Sequence, residues 1–298
     1  LVICATVVFS LQALVTSAEW LHYQRLHDAA QQAQAAQITE QTLSLAQQDA
    51  LEQFVELNEE FKPSRASQEK MIARVQESYA AAFGVISKRT WYSQTNFLFT
   101  HGLFDSMSMM LLGMALLRLG VLRGVASARA YALLAIIGYA AGLTVNLFET
   151  TRLEAAGFSV EALIQSYLTY DLGRVPTTLG HVGVIGLACR AGRLPSLMRA
   201  FAAVGRMALT NYLAQSFICL MVFTGAGLSL YGELERRELY YVVAAIWALE
   251  LGWSGLWLRW FRFGPAEWLW RSLTYWRMQP MRRGQARTEP RVIASNDR

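Results

Sequence analysis

Five apolar runs, residues 97–117, 130–148, 163–188, 207–230 and 239–258, constrain this chain more than anything else in it. Each comes to about the 20 residues that a helix needs to cross the hydrocarbon core of a bilayer. A soluble core helix rarely stays apolar for that length. With 54% hydrophobic and 16% charged residues, the composition fits a polytopic membrane protein better than a soluble enzyme. The expected fold class is therefore all-α, an integral membrane bundle.

The charges between the runs imply an orientation, because Lys and Arg stay on the cytoplasmic side during insertion while acids count for little. Arg118, Arg123 and Arg129 separate the first two runs, and Arg190, Arg193 and Arg199 the third and fourth, with no acid in either loop. Those loops read as cytoplasmic. The alternating loops carry Glu149, Arg152, Glu154 and Glu161, then Glu233, Glu235, Arg236, Arg237 and Glu238, and read as external. Nine basic residues from Arg259 onward place the C-terminus inside, facing anionic lipid headgroups rather than nucleic acid. Localisation in a membrane follows, with the basic loops in the cytoplasm and the bilayer as first partner; a homo-oligomer is compatible with this. Cys4, Cys189 and Cys219 lie in or beside apolar runs without metal-ligand spacing and read as small core residues.

Residues 1–18 read as part of a further transmembrane helix. A secretory signal is the alternative, favoured by Thr16-Ser17-Ala18 and disfavoured by the lack of a basic flank. Either reading delivers Glu19 outside. From 19 to about 90 the composition turns to Gln, Ala, Glu and Leu, as expected of an extracytoplasmic insert. Leu43, Ala46, Ala50, Phe54, Leu57 and Phe61 recur at helical steps up to a stop at Pro63. Ser67 is placed to cap a second amphipathic helix through Ile72, Val75, Tyr79, Ala82 and Ile86. The apolar faces of this pair must meet each other, the membrane surface or the outer mouth of the bundle. Residues 97–262 would then form a five-helix membrane domain, 263–283 a cytoplasmic interfacial helix and 284–298 a disordered tail.

Ionisable groups within a bilayer are costly unless paired or hydrated, so they mark candidate sites. His101 and Asp105 lie about 6 and 12 Å in from the outer end of the first run, at the i, i+4 spacing of a carboxylate-oriented general base. Asn146 and Glu149 end the second run; Asp171 and Arg174 lie at depth in the third, and Glu250 in the fifth. Asp171 and Arg174 are spaced for an intrahelical ion pair, although Arg174 could instead hold an anionic group. Glu250 calls for a basic partner from another helix. His181, Arg206, Asn211 and Gln215 form an inner set. Asn146, Asp171, Arg174, His181, Asn211, Gln215 and Glu250 are thus candidate binding residues, and His101 with Asp105 the candidate catalytic pair. Pro176 predicts a kinked or broken third helix, while Gly138 with Gly142, and Gly180 with Gly183 and Gly186, predict close helix packing. No zinc, phosphate-loop or Ser-His-Asp signature is present.

Beyond the last run, Phe263-Gly-Pro-Ala-Glu-Trp-Leu-Trp-Arg-Ser-Leu-Thr-Tyr combines Pro265 at a helix start, Glu267 in the first turn and interfacial Trp268, Trp270 and Tyr275. Glu267 and Arg271 are spaced to pair. Together with Gly205-Arg-Met-Ala-Leu-Thr-Asn-Tyr-Leu-Ala-Gln-Ser and Met110-Leu-Leu-Gly-Met-Ala-Leu-Leu-Arg-Leu-Gly, this stretch resembles the YeiB-like family of bacterial membrane proteins, which carry a domain of unknown function (DUF 418). The family has no settled activity. Its distant similarity to transmembrane acyltransferases implies transfer of an acyl group from a cytoplasmic donor, such as acyl-CoA, to an external acceptor. Members of the family begin with further membrane helices bearing Asp-x-x-Arg-Gly and Gly-Asp-Ile-Leu type motifs, neither of which stands here. A transporter of a small anionic or amphipathic solute, and a non-catalytic scaffold, are the alternative functions.

Overall fold

Helix α1, Val2–Ile38, shows how the chain is organised, because its buried residues Ala5, Gln12, Thr16, Tyr23, Leu26, Ala30 and Ala33 recur at steps of three, four and seven. That period buries one stripe of a helix and leaves the rest outside. In the computed structural model, which describes residues 1–39, 42–192 and 195–283, the helix of the apolar opening stretch runs on without a break through the polar stretch from Glu19 to Ile38. The expected tail 284–298 and Arg193 lie outside the described residues. The order continues with α2 (Leu45–Phe61), α3 (Arg65–Glu77), α4 (Tyr79–Tyr92), a wider-wound segment (Ser93–Gly102), α5 (Leu103–Arg118), α6 (Ala128–Ala155) and α7 (Val160–Ala191). Then follow α8 (Pro195–Arg206), α9 (Ala208–Phe223), α10 (Arg236–Trp260) and α11 (Pro265–Thr274). Among the described residues the regular structure is all-helical, beyond one isolated bridge between Phe261 and Arg282.

The chain forms two compact units. The first comprises Leu1–Met71 and Gly84–Arg193. Its tightest packing is between α6 and α7, where a Cβ on Gly138 would stand 2.5 Å from the Pro176 carbonyl oxygen and one on Gly183 would stand 2.5 Å from that of Tyr131. The backbones meet where side chains are missing, as the glycine spacing predicts. Along α1, Tyr23 packs with Val160 and Ile164 of α7, and Phe54, Leu57 and Phe61 of α2 close over them. The apolar face of α2 is thus met by α1 and the first turn of α7.

α7 runs through Pro176 as one helix, so of the two outcomes expected there, a kink or a break, the break does not occur. Pro176 removes one donor, but Thr177 Oγ1 donates to the Gly173 carbonyl at 2.7 Å and Thr178 Oγ1 to that of Arg174 at 2.9 Å. Neither bond replaces the lost one, which would have reached the Leu172 carbonyl; the close backbone contact of α6 with Pro176 and Gly180 braces the helix around the gap. The segment before α5 is wound wider, with the Leu103 N–H reaching back five residues to the Leu98 carbonyl.

The second unit comprises Ile72–Phe83 and Leu194–Arg298. The helix expected across residues 72–86 is divided at Ser78. The Val75 carbonyl, which would bond Tyr79 N–H in a continuous helix, accepts from Gly225 N–H at 3.0 Å instead. Ser78 then caps α4 by accepting from Ala81 N–H, and the cap of α3 is Ser64, which accepts from Ser67 N–H, rather than Ser67 itself. The apolar run 207–230 is helical only to Phe223, because the chain doubles back: Leu228, Leu230 and Tyr231 N–H groups bond the carbonyls of Met221, Val222 and Phe223.

Among the described residues three helices, α1, α6 and α10, are long and apolar enough to cross a membrane by length and composition, and α9 is a shorter apolar helix. The apolar run 97–117 is shared between the wider-wound segment and the 16-residue α5, and that of α7 is interrupted by Asp171 and Arg174. Outward apolar side chains are abundant, with Ile136, Leu147 and Trp247 67%, 65% and 62% exposed. Cys4 and Cys189 are also exposed, contrary to a core role.

Candidate functional site

In the first unit, α1, the wider-wound segment, α5 and α7 bring polar side chains together. His101, expected to pair with Asp105, pairs with Glu19 of α1, whose Oε2 is 2.6 Å from His101 Nε2. Thr100 Oγ1 lies 2.9 Å from His101 Nδ1, and Phe97 stacks on the ring at 5.3 Å between centroids, which fixes its plane. Asp105 is taken by stronger partners. Its Oδ1 accepts from Arg174 Nη1 and, at 3.4 Å, from Gln12 Nε2. A fixed cation holds a carboxylate more firmly than a neighbouring imidazole.

The expected pair of Asp171 and Arg174 is present, with Nη2 2.6 Å from Oδ1, and the guanidinium also lies over the Tyr170 ring at 4.7 Å. The anions at Arg174 are therefore the chain's own. Two buried atoms beside Asp105, Gln12 Oε1 and Arg174 Nε, have no hydrogen-bond partner among the described residues. One is an acceptor and the other a donor. Asn146 and His181 stand apart, both on Thr177: Asn146 Nδ2 donates to its Oγ1 at 3.4 Å, and His181 Nδ1 is 2.7 Å from its carbonyl oxygen. Outside the apolar runs, partial burial and then the charge of Glu60 push the Tyr92 phenol above its ordinary pKa.

In the second unit, α9 and α10 share a buried polar seam. Asn211 Nδ2 donates to Ser254 Oγ at 3.0 Å, and its Oδ1 accepts from Trp253 Nε1 at 2.7 Å. Glu250, 4% exposed, has no basic partner among the described residues; its Oε2 accepts from Gln215 Nε2 at 3.0 Å and its Oε1 has none. The expected cation is replaced by a neutral amide, one helical turn along the seam from Asn211.

Glu267 does not pair with Arg271. Its Oε1 accepts from the Leu209 and Thr210 N–H groups at 2.7 and 3.0 Å, and its Oε2 from Thr210 Oγ1 at 2.5 Å. A carboxylate from α11 thereby caps the positive end of α9. Arg271 lies over the Phe263 ring at 4.6 Å instead, and Trp268 Nε1 donates to the Gln279 carbonyl at 2.7 Å. A cleft of about 570 Å³ opens here, lined by Arg206, Arg262, Phe263, Trp270 and Arg271.

Sequence reasoning missed Glu19, Gln12 and Thr100. Gln12 carried a signal, as a lone amide within the apolar residues 1–18, and Glu19 another, as the first charge after them. Thr100 carried none.

The two motif segments, 205–216 and 263–275, are thus hydrogen-bonded to each other through Thr210 and Glu267. The family model "Protein of unknown function (DUF418)" matches residues 116–277, more than half of the chain. The chain belongs to the DUF418 family. Among DUF418 relatives, the uncharacterized protein YeiB of Escherichia coli K12 is 38% identical over 170 residues, 56% of this chain and 43% of that protein. The uncharacterized protein YxaH of Bacillus subtilis 168 is 47% identical over 89 residues, 30% of this chain and 22% of its own. An uncharacterized 39.9 kDa protein of Bacillus acidopullulyticus is 33% identical over 101 residues, 34% of this chain and 29% of its own. The chain spans less than half the length of these curated DUF418 relatives. No solved structure matches it.

Proposed function

We propose that this chain is part of a multi-pass bacterial inner-membrane protein that transfers an acyl group to an acceptor hydroxyl at the outer face, with His101 as general base. The observation that carries the reading is the ordered set Glu19, His101 and Thr100, with the imidazole bonded at both nitrogens. When Nε2–H donates to Glu19, the lone pair of Nδ1 receives a hydroxyl. Thr100 marks where an acceptor hydroxyl would sit. In the step, the acceptor oxygen bonds to the acyl carbon of a thioester donor and the carbon–sulfur bond breaks. The acceptor's proton passes to Nδ1 and from there to the departing thiolate. The ion pair of Arg174 with Asp105 ties α7 to α5 beside this dyad, and the pair with Asp171 within α7 fixes the guanidinium for it. Residues 19–90 lie outside, and the C-terminus lies in the cytoplasm. A binding site for an anionic solute at Arg174 receives less support, because two carboxylates engage its guanidinium.

The test is product formation by membranes carrying the protein and supplied with a labelled acyl thioester. His101→Gln should lower the rate by about 100-fold or more, the scale of a lost general base, and Glu19→Gln by about tenfold. Thr100→Val should retain product, since the proposal gives it no covalent role. A rate unchanged by His101→Gln would remove the imidazole from the mechanism, and loss on Thr100→Val would make that hydroxyl the nucleophile instead.

A further inference from the structure

The cleft of the second unit has a charge pattern that capping and packing do not use. Arg206, Arg262 and Arg271 line its walls, and none of the three forms an ion pair among the described residues. Glu267, the acid among the lining residues, directs both oxygens at the first turn of α9. Arg206 Nη2 donates to the Arg262 carbonyl at 3.1 Å, and Arg271 is steadied over Phe263, so two of the three guanidinium groups are positioned before any ligand arrives. Guanidinium groups with donors to spare recognise phosphate oxygens in paired hydrogen bonds.

The location identifies where that phosphate comes from. Arg262 follows Trp260, the last residue of the apolar helix α10, by two positions. The cleft therefore stands at the level where such a helix passes from hydrocarbon to headgroups. α11, on its rim, exposes Leu269, Trp270 and Leu273 (53%, 66% and 58%), an apolar surface suited to acyl chains beside a cationic one suited to a headgroup. We infer that this cleft binds the phosphate headgroup of an anionic phospholipid, with Trp270 and Leu269 against the adjoining acyl chains.

The experiment uses detergent-solubilised protein titrated with phosphatidylglycerol or phosphatidylcholine in mixed micelles, with lipid retention read by native mass spectrometry. Phosphatidylglycerol should be retained about tenfold better than phosphatidylcholine, and the Arg206→Gln, Arg262→Gln, Arg271→Gln triple variant should lose that preference. Arg277→Gln, a basic residue outside the cleft lining, should keep it. A triple Arg→Lys variant guards against misfolding, because it keeps the charge and should retain part of the preference. Equal retention of both lipids, a preference unchanged in the triple Gln variant, or saturation of the cleft by glycerol phosphate in place of phosphatidylglycerol would each overturn the assignment.

Discussion

Arg174 sits between two carboxylates from different helices, and Glu250 sits against one neutral amide, so the two invite opposite substitutions. With its side chain 18% exposed, Arg174 depends on Asp105 and Asp171 together. Asp105→Asn or Asp171→Asn alone leaves one anion in place. The double variant strands a largely desolvated cation and should cost about 3–5 kcal/mol, more than the sum of the singles. Thermal unfolding in detergent across the double-mutant cycle measures this, and strict additivity would mean that the two acids act independently. At Glu250, Glu250→Gln keeps an acceptor oxygen for Gln215 and should stay within about 1 kcal/mol of the parent, whereas Glu250→Ala leaves Gln215 unsatisfied and should cost about 1–3 kcal/mol. Equal damage from both would show that the negative charge itself is needed.

The glycines separate helix packing from helix propensity. Gly113 of α5 has nothing within 4 Å of a modest added side chain, so Gly113→Ala should stabilise the protein by about 0.5–1 kcal/mol through propensity alone. Gly138→Ala, although the same chemical change, would push a methyl group onto the Pro176 carbonyl and should destabilise by about 1–3 kcal/mol. Opposite signs in one unfolding assay check the claim that α6 and α7 meet through backbone. Part of this was legible in the sequence: most helices from apolar period, though not the division at Ser78 or the end of α9 at Phe223, the stop at Pro63, and close packing from glycine spacing. Pairings across long stretches of chain were not. Glu19 reaches His101 over 82 positions and Gln12 reaches Asp105 over 93, so local spacing suggested His101 with Asp105 and could not see the competitors. The division at Ser78 was hidden for the same reason, since Gly225, far along the chain, supplies the donor that interrupts the helix. At the α9–α11 junction the i, i+4 rule offered Arg271 to Glu267, but unpaired N–H groups at a helix start bind a carboxylate through several donors at once and win.

At the scale of the whole molecule the decisive quantity is the order of charges along the chain. Arg-only stretches lie between α5 and α6 and between α7 and α9, while α2 and α3 carry most of the acids of residues 19–90, so one orientation places every short basic loop inside. That ordering ties three proposals to one measurement: an external insert, His101 near the outer face and Arg262 near the inner headgroups. Single cysteines introduced into a background with Cys4, Cys189 and Cys219 replaced report it directly. Glu56→Cys, on an exposed position of α2, should react with a membrane-impermeant maleimide in intact spheroplasts. Met278→Cys, 75% exposed just beyond α11, should react only after permeabilisation. The reverse pattern would turn the bundle over, put the phospholipid cleft in the outer leaflet and require His101 to work from the cytoplasmic side. Labelling of both sites in intact spheroplasts would instead mean an even number of crossings between them, in place of the odd number that the charge order demands.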